Sequence, residues 1–291
     1  MFRQIPRILL LDQSRKTVLM LAKLMLIFPL MTFALSAAEP AQDLIRFKGA
    51  DTLGAKLVPE LGGVYKTKHG GAKFEVAGEG SDTAFKALLD GTADIGMSSR
   101  EIKQEEAELF EERKIQLHKH LAAYDCLVIL VHANNPVNNL TAKQIEGLFT
   151  GDITNWRDVG GMDAPVLLRT RNTASGSYKE FSRIAMNGRP YAKGSIKLQG
   201  SETPVQGLVR DVNAITYAGL SYAKAQGIKT ISINGIAPPL DRANDYPYIR
   251  PCYYFIRSDA SPATKAFMEW ATQSAEAKAI VRKIGFLAAK S

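Results

Sequence analysis

Three short stretches of the chain gather backbone and hydroxyl donors at the start of a predicted helix. They are Lys48-Gly49-Ala50-Asp51-Thr52, Gly78-Glu79-Gly80-Ser81-Asp82 and Arg171-Asn172-Thr173-Ala174-Ser175-Gly176-Ser177, each following a predicted strand. The first N–H groups of a helix have no partner within it, and the macrodipole places about half a positive charge there. The chemistry such ends support is capture of a small anion by neutral donors. Each stretch alone says little, because a Ser or Thr cap stabilises a helix by about 1 kcal/mol without any ligand. For Ser81 taken singly, a cap is the simpler reading. The three together say more, and Arg171 adds a charge. It precedes Ser175 by four residues, so one loop can offer a guanidinium fork and hydroxyls to the same oxyanion. Gly176 would let the backbone come close to it.

Competing chemistries find little support. There is no G-x-S-x-G, P-loop or H-E-x-x-H, and Gly78-Glu79-Gly80 runs on to Thr83 where a dinucleotide fingerprint needs a third Gly. His118 and His120 share one face of a strand but have no third ligand nearby, so no metal site is expected. The four His, at 69, 118, 120 and 132, lie outside the three donor-rich stretches, which argues against a Ser-His hydrolase. Neither enzymatic activity nor a cofactor is predicted.

The elements that must position these loops read as strands alternating with helices, an α/β class. Strands are expected over 45–47, 74–77, 94–97, 127–131, 166–169, 215–218, 230–233 and 253–256, and helices over 52–66, 82–90 and 104–113. Thr141 and Gln144 have capping-box spacing ahead of Ile145, Leu148 and Phe149. Thr203 and Gln206 have it too, with Pro204 at the first helical position and Val205, Leu208, Val209 and Val212 expected to face inward. Ser261-Pro262 and Ser274 begin the last two helices.

The 291 residues, 46% of them hydrophobic, suffice for one large or two medium domains. The N-terminus is set apart: a basic segment precedes an apolar run from Val18 to Leu35, and Ser36-Ala37-Ala38 follows. Residues 1–38 are expected to be a signal peptide cleaved after Ala38, with export to the periplasm. Pro29 within the run argues against a permanent anchor. Five basic residues against one acidic in this segment account for half of the formal +8, leaving +4 for the rest. That excess suits small anions, and with no dense basic run carrying aromatics, no nucleic-acid partner is expected. Cys126 and Cys252 sit in strand-like segments, and spacing leaves both a disulfide and two isolated buried thiols open.

The run Asn139-Leu140-Thr141 through Gly151-Asp152-Ile153-Thr154-Asn155-Trp156 to Val159-Gly160-Gly161 resembles the phosphate-binding periplasmic proteins of ATP-binding-cassette transporters. Ala93-Asp94-Ile95-Gly96-Met97-Ser98-Ser99-Arg100 and Arg171 to Ser177 match that family as well, and the similarity runs from about Ile45 onward. The resemblance implies a two-lobed type II periplasmic binding protein, or Venus flytrap, each lobe a mixed sheet flanked by helices. Lobe one would be 39–124 plus 247–291 and lobe two 125–246. It implies a monomer that captures inorganic phosphate between its lobes and delivers it to a membrane ABC permease, without a cofactor. An oxyanion-responsive signalling or scaffold protein of relaxed selectivity, and a secreted hydrolase, are the alternatives.

Carried over position by position, the family's anion ligands fall on Thr52, Ser81, Arg171, Ser175, Gly176 and Ser177, with Leu53 contributing its backbone N–H. One position departs. Ser99 stands where well-known members have an Asp, whose carboxylate accepts a hydrogen bond from protonated phosphate and repels sulfate. Asp51 and Asp82 are the candidates to replace it, and selectivity among phosphate, sulfate and arsenate stays open. The family's crossing strands run side by side, which places Tyr124-Asp125-Cys126 near Ile249-Arg250-Pro251-Cys252 and favours a Cys126–Cys252 disulfide.

Overall fold

A single long strand organises the sheet. In the computed structural model, which describes residues 43–70, 72–238 and 246–288, β4 (Leu117–His132) runs for 16 residues, about 50 Å of extended chain. The expected leader and its cleavage after Ala38 lie outside the described residues. From Leu117 to Cys126, β4 pairs antiparallel with β10 (Ile249–Arg257). From Leu127 onward it pairs with β8 (Ala214–Gly219) and β9 (Ile228–Ile233) instead. On the β10 side the sheet continues through β3 (Ile95–Ser98) and β1 (Asp43–Gly49) to β2 (Ala72–Gly78), the last three parallel to one another. On the other side it continues through β6 (Leu167–Arg171) to β7 (Ile196–Leu198), while the short β5 (Asn139–Leu140) pairs with β9.

Side chains divide between two large cores along the same line. One is built from residues between Cys126 and Tyr248, with Phe149, Trp156, Phe181 and Tyr217 at its centre. The other joins residues 45–123 to residues 252–286, with Phe47, Leu53, Tyr254 and Phe267 buried together. A third, small cluster around Phe85, Phe110 and Phe255 lies under α3 (Ser81–Leu89) and α4 (Gln104–Glu112). The continuous apolar run in β4 thus reflects burial on both faces of the sheet.

Local signals set several helix ends. Thr141 caps α5 (Ala142–Thr150): its hydroxyl accepts from Gln144 N–H at 3.1 Å, and the Gln144 side chain accepts from Thr141 N–H at 2.8 Å. Ser261 and Ser274 cap α8 (Pro262–Gln273) and α9 (Ala275–Lys283) as expected.

Two helix expectations need correction. The helix foreseen over 52–66 is two helices, α1 (Asp51–Gly54) and α2 (Leu57–His69), broken at Ala55-Lys56. The break falls where Pro59 disallows a continuous helix, since it has no N–H to donate and its ring crowds the Ala55 carbonyl four residues earlier. Lys56, at the break, donates to the Ser221 carbonyl at 2.8 Å and lies over the Tyr222 ring. The capping box of Thr203 and Gln206 does not form. Helix α7 (Glu202–Val209) starts earlier, after Ser201, whose N–H is held by the Asp51 carboxylate at 2.8 Å, and Gln206 donates to Glu202 instead. Val205 and Leu208 face inward as expected, but Val209 is 47% exposed and Val212 only half-buried.

The Cys126–Cys252 bridge is also absent; both thiols are free and buried. The crossing strands do run side by side, but Cys126 lies opposite Ile249 and Cys252 opposite Ala123. Three positions of offset correspond to about 10 Å along the strands, beyond the roughly 7 Å that a disulfide spans. An odd offset also sends the two side chains to opposite faces, one into each large core. Burial pushes both thiols up to about 12. Titration with a thiol reagent at neutral pH should therefore find no fast-reacting thiol in the native protein and two in denaturant without reductant. None in denaturant would mean that the bridge forms.

Candidate functional site

The donor-rich loops sit at strand ends. Beyond β1, Gly49 adopts φ +130°, where a Cβ would lie 2.1 Å from the Met97 carbonyl, and Ala50 N–H donates to that same oxygen at 2.7 Å. Thr52 follows, buried in α1. Beyond β2, Gly80 N–H donates to the Gly49 carbonyl at 2.8 Å, and Ser81 opens α3. Beyond β3, Ser99 N–H donates to the Ser81 hydroxyl at 3.1 Å, and the two hydroxyl oxygens stand 3.2 Å apart. Beyond β6, Ser175 caps α6 (Gly176–Ala185), its hydroxyl accepting from Tyr178 N–H at 3.4 Å.

These strand ends belong to different cores, yet they touch. The Thr52 and Ser177 hydroxyl oxygens are 3.2 Å apart. A Cβ added at Gly176 would lie 2.2 Å from the Ser81 hydroxyl oxygen and 2.4 Å from that of Ser99. One added at Gly80 would lie 2.5 Å from the Ala174 carbonyl. The structure thus brings Thr52, Leu53, Ser81, Ser99, Arg171, Ser175, Gly176 and Ser177 into one region, all buried. The Leu53 N–H donates to the Ala50 carbonyl at 3.1 Å. Helices α3 and α6, of nine and ten residues, carry a dipole worth the name, whereas the four-residue α1 contributes mainly its Thr52 hydroxyl.

Arg171 provides charge at this place. It donates to the Ser201 hydroxyl and lies 3.6 Å from the Asp51 carboxylate. Burial depresses its guanidinium, and Asp51 opposes that shift. Of the two carboxylates that might stand in for the family's Asp, Asp82 is already engaged, by Arg100 at 2.6 Å and by Lys179 of α6. Asp51 accepts from Ser201 N–H and faces Arg171.

Sequence reasoning missed the pair Arg250 and Asp125 as site residues. They sit on the crossing strands β10 and β4, both side chains wholly buried, with Nη2 of Arg250 2.7 Å from the carboxylate and Nε 3.2 Å from it. The same Nη2 reaches the Ser177 hydroxyl at 2.7 Å and that of Thr52 at 3.2 Å. Complete burial pushes the Asp125 carboxyl up, against the pull of Arg250. A signal was available: Asp125 directly precedes the apolar run of β4 and Arg250 sits near the start of a largely apolar β10, and a charge that becomes buried requires a partner. His118 and His120 lie on the first half of β4, and among the described residues no group of three or more His, Cys, Asp or Glu is arranged to hold a metal.

A family model for the PBP superfamily domain matches residues 36–276. The chain belongs to that superfamily. The phosphate-binding protein PstS of Pseudomonas aeruginosa is 32% identical over 200 residues, covering 64% of this chain and 61% of the relative. This chain therefore matches less than two thirds of that protein's length. PstS of Bacillus subtilis is 26% identical over 219 residues, covering 74% of this chain and 71% of its own. Among solved structures, one from Clostridium perfringens, described as a phosphate ABC transporter substrate-binding protein with bound phosphate, aligns with a TM-score of 0.77 at 28% identity. It covers 85% of this chain and 100% of the neighbour. An ABC-type phosphate transport receptor from Vibrio cholerae aligns with a TM-score of 0.69 at 26% identity and the same coverage. The two-lobed α/β architecture and the PstS-like resemblance read from the sequence both stand.

The contact between Asp82 and Lys179 links α3 to α6 at the edge of the donor cluster. Burial raises the Asp82 carboxyl, but hydrogen bonds from Lys179 and Arg100 outweigh it and hold it below its ordinary 3.8. A depressed carboxyl stabilises the fold above its unfolded value and loses that contribution as pH falls through the folded one. Lys179→Met should lower the melting temperature at pH 7 by about 2 °C, since a partly exposed pair stabilises by at most about 1 kcal/mol. The gap between variant and parent should shrink as pH falls below 3.8; a gap that persists in acid would mean that Asp82 is not the partner that matters.

Proposed function

We propose that the chain is an extracytoplasmic solute receptor that holds one phosphate ion between two lobes and delivers it to a membrane ABC permease. The observation that carries this reading is the meeting of Gly176 with Ser81 and Ser99, which sets the starts of two full-length helices from different cores against each other. Around that point Thr52, Ser81, Ser99, Ser175 and Ser177 offer hydroxyls, Arg171 offers charge, and Gly176 allows close approach of backbone N–H groups. Burial lowers the local dielectric, so each donor acts more strongly on an anion than it would in water. Shared contacts to one ion would pull the lobes together.

The division of the cores supports lobe boundaries at 39–124 plus 247–291 for lobe one and 125–246 for lobe two, with β4 and β10 as the crossing strands. Residues 1–38 have the composition of a cleaved leader, which together with the relatives' role in transport favours a periplasmic location for the mature chain. We read the chain as a monomer that binds rather than catalyses. The serine hydroxyls here partner one another, backbone N–H groups and Arg250, not an imidazole that could activate them.

Selectivity follows from the acceptors. With Ser99 in place of a carboxylate, and Asp82 held by Arg100 and Lys179, Asp51 is the better placed of the two candidates to sense the proton on phosphate. An unmade hydrogen bond in a buried site costs about 1–3 kcal/mol, so the missing carboxylate should relax discrimination against sulfate by one to two orders of magnitude. Calorimetry is expected to show tight binding of phosphate and arsenate, with measurable binding of sulfate. Tight sulfate binding without phosphate binding would refute the assignment.

Two substitutions test the site itself. Arg171→Ala should abolish phosphate binding while leaving the circular dichroism spectrum unchanged, and unchanged affinity would reject this site. Gly176→Ala should preserve α6 but keep the lobes apart, lowering phosphate affinity by at least about a hundredfold, because its Cβ would sit within 2.4 Å of two hydroxyl oxygens. Retained affinity in that variant would show that the ion does not need this approach.

A further inference from the structure

We infer that Arg250 is a second cationic ligand of the anion, carried by a crossing strand and paired with Asp125. The inference rests on the anion-receptor reading and adds a residue to it.

The first argument is the count of hydrogens. A guanidinium has five donors in a planar fork. Asp125 occupies the edge formed by Nε and Nη2. Nη2 carries two hydrogens but has three acceptors within reach: Asp125 and Ser177 at 2.7 Å, and Thr52 at 3.2 Å. Nη1 carries two more hydrogens, is buried, and has no hydrogen-bond partner among the described residues. Buried donors of a charged group are costly to leave unmade. An oxyanion beside Thr52 and Ser177 supplies the acceptors that the protein does not.

The second argument is charge. Arg171 is the cation expected from the sequence, but the Asp51 carboxylate lies 3.6 Å from it and offsets part of its field. The helix starts and hydroxyls supply neutral donors, but Arg171, already shared with Asp51, leaves a dianion short of positive charge that a second guanidinium would add. Arg250 adds a positive fork beside the Thr52 and Ser177 hydroxyls, with Asp125 on its Nε–Nη2 edge. The backbone makes room for that counterion: a Cβ at Gly219 would lie 2.6 Å from the Asp125 carboxylate. Stability alone gives little reason for the arrangement, because well-packed apolar pairs commonly replace buried ion pairs without loss.

The third argument is position. Arg250 bonds Thr52, which belongs to the chain segment of one core, and Ser177, which belongs to that of the other, from a strand that leads from one core to the next. An anion bound to this fork would therefore be held by both lobes and by the strand between them. The site should favour doubly charged tetrahedral oxyanions over singly charged ones.

The test is calorimetry with inorganic phosphate and sulfate on the wild type, on Arg250→Lys and on the double variant Arg250→Gln/Asp125→Asn, with thermal unfolding in phosphate-free buffer as the fold control. Arg250→Lys keeps a charge for Asp125 but loses the fork. It should unfold close to the wild type while binding phosphate at least about tenfold more weakly. The double variant leaves no uncompensated buried charge and should lose at least about a hundredfold, with a larger loss where phosphate is a dianion than where it is a monoanion. A folded variant of either kind that binds phosphate within threefold of the wild type would overturn the inference and leave the receptor reading standing. If the double variant fails to fold, Arg250→Lys decides the matter. Failure of the receptor reading shows separately, as a wild type that binds neither anion.

Discussion

The contact that governs this molecule is between the start of one helix and the start of another across two cores. Gly176 lies so close to the hydroxyls of Ser81 and Ser99 that no larger residue fits, and Gly80 lies against the Ala174 carbonyl in the same way. Helix starts repel one another electrostatically, since both present partial positive charge. Bringing α3 and α6 this close is favourable only when something negative or hydrogen-bonding lies between them. Here Ser81 and Ser99 fill part of that role, and a bound oxyanion would fill the rest.

Charge is compensated in pairs throughout the region. Arg171 faces Asp51, Arg250 holds Asp125, and Arg100 is clasped by Asp82 and Glu106. Burying an isolated charge costs several kcal/mol, so each buried guanidinium comes with its own carboxylate. The pairs differ in what they leave over. Both terminal nitrogens of Arg100 find acceptors, in Glu106, Asp82 and the Glu101 carbonyl. Among the described residues Arg100 and Arg171 each keep a buried Nε without a partner, and Arg250 keeps a terminal nitrogen, Nη1. The Arg100 arrangement ties α3 to α4, whereas Arg250 retains a terminal nitrogen with two N–H donors for a ligand.

The two crossing strands do more than join the lobes. Because β4 changes partners after Cys126, residues on either side of that point belong to different cores. Asp125 and Arg250 sit at the change-over, where a charged pair interrupts neither hydrophobic interior. The same geometry keeps Cys126 and Cys252 apart, one facing each core.

Much of this was legible from the sequence because it is local. The capping of α5 by Thr141 and the starts of α3 and α6 at Ser81 and Gly176 follow from residue types within one turn. The donor-rich loops could be picked out because helix ends have few ways to satisfy their N–H groups. What depends on distant partners was not legible. Helix α7 starts where it does because Asp51, 150 positions earlier, holds Ser201 N–H. The resemblance set the segments of Asp125 and Arg250 side by side, but that the two would pair opposite each other, beside Thr52 and Ser177, took the register of the sheet. Spacing fixes what a residue can do within a turn or a strand; which surfaces meet, and which face a side chain takes in a crossing strand, is decided only by the register that the whole sheet adopts.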